Sequence, residues 1–151
     1  MKRLIYIMLL SGAISTGASA QTTEIFAKGE LAKTKTHTGN VWLRELNHAD
    51  SVIDCAIATA SFAPAAKLDW HIHPAGQVLL ITEGKGYYQE KGKPIQVVNK
   101  GDVVKCLPGI AHWHGASPNS TFSYVAVSTN GANNKTVWLQ RVTDAEYNSA
   151  K

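Results

Sequence analysis

The sequence predicts an all-β fold, a sandwich or a barrel. Three observations predict it. Short runs rich in β-branched and aromatic residues recur at roughly 8–12 residue spacing. Gly, Pro and Asn punctuate nearly every gap between them. The single good helix signal stands at the very end, where Thr143-x-x-Glu146 forms a capping box opening a short helical turn.

The predicted strands follow in order. Val41 to Leu46 is the first. Val52 to Phe62 is longer, leaves room for a bulge, and ends before Pro64. Trp70 to His73 stops at Pro74. Gln77 to Glu83 follows a tight turn at Pro74-Ala75-Gly76. A turn is expected at Gly84-Lys85-Gly86, then a strand from Tyr87 to Glu90. Gly92-Lys93-Pro94 leads into Ile95 to Val98, and Asn99-Lys100-Gly101 into Asp102 to Leu107, with Asp102 shaping the turn. Pro108-Gly109 precedes His112-Trp113-His114. Thr121 to Ser128 and Thr136 to Arg141 complete the set. Both faces of Gln77 to Thr82 are largely apolar, which suits one face in a barrel and the other against a second sheet or a subunit partner.

Residues 1–20 read as a secretory signal peptide. Met1-Lys2-Arg3 is the positive start, Leu4 to Leu10 the apolar stretch, and Ala18-Ser19-Ala20 the small-x-small cleavage site. The apolar stretch is too short for a membrane span. The expected mature chain, residues 21–151, is one domain in the periplasm or outside the cell. Losing Lys2 and Arg3 takes the formal charge from +4 to +2. No basic cluster remains to hold nucleic acid, and nothing would tie the cleaved chain to a membrane. Cys55 and Cys106 fit either a disulfide, in an oxidising compartment, or two small buried hydrophobes.

Four of the six histidines form two His-x-His pairs, His71/His73 and His112/His114, about forty residues apart. In a strand, residues i and i+2 share a face, so each pair aims two imidazoles one way. Neutral imidazole is the commonest protein metal ligand. Gln77 begins the strand after the first pair. Three imidazoles and one amide oxygen suit a divalent transition ion such as Mn, Fe, Co, Ni, Cu or Zn. They do not suit a thiolate zinc knuckle or an all-oxygen calcium site. No carboxylate offsets the ion's charge, which makes it a stronger Lewis acid. His37 and His48 have no partner pattern and read as surface. Trp42, Trp70, Trp113 and Trp138 read as core or interface aromatics.

These residues resemble the two signature motifs of the cupin superfamily. The first is His71-x-His73-(x)3-Gln77-(x)6-Gly84; the second is Gly101-Asp102-(x)6-Gly109-(x)2-His112. Several positions depart from the pattern. Gln77 replaces the usual acidic ligand, Ala65 the usual Gly, Leu107 the usual Pro and Ala116 the usual Asn. The longer runs Trp70-His71-Ile72-His73-Pro74-Ala75-Gly76-Gln77 and Pro108-Gly109-Ile110-Ala111-His112-Trp113-His114-Gly115-Ala116 are similar to a subgroup of small bacterial cupins. So are Thr38-Gly39-Asn40-Val41 and the tail from Trp138 to Tyr147. That subgroup includes manganese-dependent hydroxynitrile lyases and carboxymuconolactone-decarboxylase-like cupins.

The resemblance implies a double-stranded β-helix, or jelly roll, with a short C-terminal helix. It implies His71, His73, Gln77 and His112 as metal ligands, with manganese first and iron, nickel or zinc as alternatives. It implies homo-oligomers. His114 becomes a pocket residue able to move a proton, and Tyr124 a hydrogen-bond donor to developing negative charge. Where the hydroxynitrile lyases carry a second pocket His and a Gln, this chain has Tyr124 and Ser128, which points to a different substrate. The leading expectation is an exported metal-dependent enzyme on a small organic molecule, lyase- or decarboxylase-like, with dioxygenase chemistry second. A non-catalytic binder of a small molecule or metal is the alternative, and a purely structural metal a third.

Overall fold

The computed structural model describes residues 25–150. The expected signal peptide, 1–20, lies outside the described residues. The strands are β1 (Glu30–Leu31), β2 (His37–Thr38), β3 (Val41–Asn47), β4 (Cys55–Phe62), β5 (Lys67–Leu68), β6 (His71–Ile72), β7 (Gln77–Glu90), β8 (Gln96–Asn99), β9 (Val103–Cys106), β10 (His112–Ala116), β11 (Phe122–Thr129) and β12 (Val137–Trp138). One four-residue helix, α1 (Asp144–Tyr147), follows. Among the described residues no helix is long and apolar enough to cross a membrane.

All pairings are antiparallel and fall into two sheets. The first runs β1-β3-β4-β11-β7, with β9 on the far side of β7. The second runs β7-β10-β5-β2, with β8 on β7, and β6 and β12 added beyond β10. The sheets share β7. The whole is a double-stranded β-helix, the form that the cupin resemblance implies.

The turn expected at Gly84-Lys85-Gly86 does not form. One 14-residue strand instead runs through it. Residues 77–84 pair in the first sheet and 85–90 in the second. The glycines mark the corner where the strand changes sheets. Gly84 has φ of +72°, and a Cβ there would sit 1.9 Å from the Thr121 carbonyl oxygen. Glycine inside a strand serves such close backbone approaches as readily as turns. The bulge also differs from expectation. It lies in β3, where Leu46 is passed over between Glu45↔Ala58 and Asn47↔Ile57, and β4 itself begins only at Cys55.

Alternation places Val41, Phe62, Leu79, Ile81, Phe122 and Tyr124 in the core between the sheets. Leu80 and Val103, paired across β7 and β9, point outward and remain exposed. A second cluster of Trp70, Trp113, Val142 and Tyr147 anchors α1 to the outside of the second sheet. The capping box forms: the Thr143 hydroxyl accepts from Glu146 N at 3.1 Å, and Thr143 N donates to the Glu146 carboxylate at 2.9 Å. Tyr147 Oη then donates to the Ala116 carbonyl at 2.7 Å. Trp113 alternates away from its flanking histidines and donates from Nε1 to Gln89 Oε1 at 2.7 Å. Gln89 is thereby committed to that outer face. Cys55 and Cys106 are both free thiols, and burial pushes the Cys106 thiol up to about 12.

Ala65, where the cupin pattern has Gly, adopts φ of 63°. Left-handed backbone costs an alanine about 1–2 kcal/mol, part of which glycine returns as greater freedom in the unfolded chain. Ala65→Gly is therefore expected to stabilise the protein by about 0.5–1 kcal/mol. Calorimetry should show a rise in Tm; a fall would mean that the alanine methyl packs usefully where it stands.

Candidate metal centre

Strand pairing builds the centre. β6 and β10 are neighbours with His71 directly opposite His112. The two ring centroids are 4.4 Å apart. His73 follows β6 on the same side, 5.1 Å from His71 and 5.5 Å from His112. One ring nitrogen from each of these three residues lies within 4.8 Å of the other two. All three side chains are buried.

Hydrogen bonds fix what these rings offer. His71 Nδ1 is 2.8 Å from the Asp69 carbonyl oxygen, and His112 Nδ1 is 2.9 Å from that of Ile110. A carbonyl only accepts, so both Nδ1 atoms carry the proton and both Nε2 atoms carry a lone pair. His112 Nε2 is buried with no protein partner. An outward N–H on a backbone carbonyl and an inward bare nitrogen is the arrangement of metal-ligating histidine. His73 Nδ1 has the Thr136 hydroxyl at 3.5 Å. Burial, followed by repulsion from the His112 imidazole, holds His71 down at about 3 and His73 at about 4. Burial also lowers His112. The cluster is neutral at neutral pH, which is the ligating state. The donor set therefore fits a divalent transition ion on the structure's own terms.

The turn between His73 and β7 joins the two motifs. Gly76 N and Gly109 N both donate to the His73 carbonyl at 3.1 Å. Gly76 has φ of +82°, and a Cβ there would come within 2.9 Å of the Cys106 carbonyl oxygen and 3.1 Å of Pro108. Gln77 emerges beside the histidines, donates from Nε2 to Ser128 Oγ at 3.0 Å, and bonds His73 through the same side chain. Ser128 is thus a support for Gln77.

Asn134 carries no motif, and sequence reasoning missed it. It is buried and holds the same turn through three bonds. Its Oδ1 accepts from Ala75 N at 2.8 Å, and its Nδ2 donates to the carbonyls of Gly76 at 2.8 Å and Thr129 at 3.0 Å. Asn134→Ala is expected to cost about 2–3 kcal/mol, since it removes three bonds to backbone groups of this turn at once. Urea unfolding tests this; a change under about 0.5 kcal/mol, the size of an ordinary surface substitution, would show that water replaces the amide.

A cavity of about 220 Å³ opens beside the centre. His71, His73, Gln77, His114 and Tyr124 line one part of it. His114 is buried, and neither ring nitrogen has a partner. Its ring stands edge-on to Tyr124 at 5.1 Å and to His71 at 5.0 Å. His114 does not keep the ordinary pKa of histidine. Burial, then the imidazoles of His71, His112 and His73, push it well below 6.5. Burial pushes Tyr124 well above 10, so its phenol keeps a proton to donate. His37 is not the surface residue that its isolation in the sequence suggests; it lines this cavity with Thr36 and Trp138. Trp138 also leans on His71 at 5.0 Å. His48 is exposed. Among the described residues, no Asp, Glu, Lys or Arg lines the cavity.

Known proteins are similar to most of this chain. A family model described as cupin matches residues 27–148. An (R)-mandelonitrile lyase from Granulicella tundricola is 36% identical over 110 residues, covering 73% of this chain and 84% of that protein. A cupin-like protein from Thermotoga maritima superposes with a TM-score of 0.80 at 40% identity, over 83% of this chain and 96% of its own. The polyketide cyclase RemF from Streptomyces resistomycificus shares the fold alone, with a TM-score of 0.61 at 13% identity over 80% of this chain and 84% of its own. A barrel of two sheets sharing one bent strand, three imidazoles converging inside it, and a match spanning nearly all the described residues have one common account: the chain belongs to the cupin family.

Proposed function

We propose that the chain is an exported, metal-dependent lyase acting on a small organic molecule. The observation that carries this is the pairing of two things in one place. Three neutral buried imidazoles present open nitrogens, and beside them a cavity holds a fourth imidazole with both nitrogens free. The 36% identical mandelonitrile lyase supports the reaction class.

His71, His73, His112 and Gln77 would hold the ion, manganese first. Once bound, it supplies Lewis acidity toward a substrate oxygen, undiminished by any carboxylate ligand. His114 begins neutral and accepts the substrate's hydroxyl proton. Tyr124, held protonated, donates a hydrogen bond to the oxygen that gains negative charge. Mandelonitrile is the first compound to try. Its C–C bond breaks, the electron pair leaves with cyanide, and the hydroxyl proton passes to His114, leaving benzaldehyde. The imidazolium is disfavoured in so dry a pocket, but the cyanide formed beside it offsets its charge. A single base with Tyr124 opposite suits a substrate other than mandelonitrile for full rate.

The test starts with elemental analysis of the purified protein beside His71→Ala. Near-stoichiometric metal lost in the variant supports the centre; wild-type protein without metal sinks it. Turnover of cyanohydrins by the loaded protein then supports the lyase. Ligand binding without turnover would leave a binding protein. Export is tested by sequencing the mature N-terminus, expected at Gln21.

A further inference from the structure

Five buried side-chain nitrogens lack a hydrogen-bond partner among the described residues: His37 Nε2, Trp70 Nε1, His112 Nε2 and both of His114. Those of His112 and His114 belong to the centre and its pocket. Trp70 Nε1 has the Glu146 carboxylate for company. His37 Nε2 is left without an explanation, and buried polar groups in native proteins generally have one.

His37 lies in β2, a two-residue strand paired through His37↔Leu68. Its Nδ1 is 3.0 Å from the Gly39 carbonyl oxygen. That carbonyl can only accept, so in the neutral ring the proton is on Nδ1 and Nε2 is an acceptor. The ring lines the cavity that His71, His73, His114 and Tyr124 also line. Among the other acceptors lining it, His114 serves the reacting end of the ligand in the proposed function. The Thr34 and Thr36 hydroxyls bond each other at 3.0 Å. With no Asp, Glu, Lys or Arg among the described residues of the lining, nothing there would balance a second charge on a ligand.

We infer that His37 is a specificity-determining residue: its Nε2 accepts a hydrogen bond from an uncharged O–H or N–H of the ligand, separate from the oxygen that meets the metal. The inference rests on the metal-centre reading for the ligand's other end. The ligand class is a compact, apolar-bodied molecule with a metal-binding oxygen and a remote donor. A site built to satisfy a substrate hydroxyl discriminates strongly against the analogue that lacks it, because the acceptor is then left buried and unpaired.

The test uses manganese-loaded protein and titration calorimetry. The probes are meta- and para-hydroxybenzaldehyde, each beside its methyl counterpart, below the phenols' own pKa. In wild-type protein at least one hydroxyl isomer should bind at least about ten-fold more tightly than its methyl partner. His37→Leu should bring that ratio to about one with metal content unchanged. His37→Gln, which keeps an acceptor, should restore most of it. A ratio near one for both isomers in wild-type protein overturns the inference, and so does a ratio that survives in His37→Leu. Absence of binding by any probe overturns it too. The metal reading fails separately: methyl probes binding equally to loaded and metal-free protein would remove it without touching the hydroxyl-to-methyl ratio.

Discussion

His114→Ala is expected to lower kcat by about 10²–10⁴-fold, the usual worth of a positioned general base, while bound metal stays at the wild-type level. The two readouts separate because His114 stands next to the ligand group without belonging to it. His71, His73 and His112 bring their nitrogens within 4.8 Å of one another. His114 stacks 5.9 Å from His112, stands edge-on to His71 at 5.0 Å, and has Phe62 and Tyr124 on its other sides. Both its nitrogens are unpaired, so no structural hydrogen bond is lost with it. The void left by the ring will lower stability, and a glutamine of similar reach guards against mistaking that for lost chemistry. Unchanged turnover in both variants would remove the proton-transfer role. Loss of metal along with turnover would move His114 into the ligand set.

The centre was legible because its period is legible. Two His-x-His pairs need only strand alternation to put His71 with His73 and His112 with His114 on shared faces. Gln77 followed from the tight turn before it. His37 and Asn134 were not legible, since each acts through contacts remote in sequence. Asn134 holds Ala75 and Gly76 from 58 or more residues away, and nothing around it forms a pattern. His37 reaches the cavity from a two-residue strand too short for any periodicity to show. The same limit hid β1 and β5, each two residues long. At Gly84-Lys85-Gly86 the signal was real but ambiguous. Glycine marked a place where backbones nearly touch, and only the Thr121 carbonyl, distant in sequence, decides between corner and turn. The capping box needed no such help, because Thr143 and Glu146 complete it between themselves.

The second large effect concerns acid. Metal-free protein is expected to lose stability steeply below pH 6.5. An unfolded histidine binds its proton near pH 6.5. In the fold, His71 is held at about 3 and His73 at about 4, while His112 and His114 are lowered as well. The folded state therefore binds fewer protons than the unfolded one throughout that interval. Stabilisation from the neutral rings is complete above 6.5 and drains away as pH falls toward the folded values. Each histidine contributes a slope of up to about 1.4 kcal/mol per pH unit, so four contribute up to about 5. Set against a typical domain stability of about 5–15 kcal/mol, this unfolds the metal-free protein about one to three pH units below 6.5. Asp50 and Glu146, whose carboxyls the fold holds low, lose their contribution only at more acid pH and so do not set the midpoint. Bound metal competes with protons for the same nitrogens, and its binding to the folded state alone adds stability in proportion to the logarithm of its concentration. Loaded protein should accordingly unfold at lower pH than metal-free protein. Tryptophan fluorescence during an acid titration, with and without chelator, measures both midpoints. A metal-free midpoint below about pH 3 would mean that the four rings are not held neutral by burial, and identical midpoints would mean that the ion does not bind where these imidazoles converge.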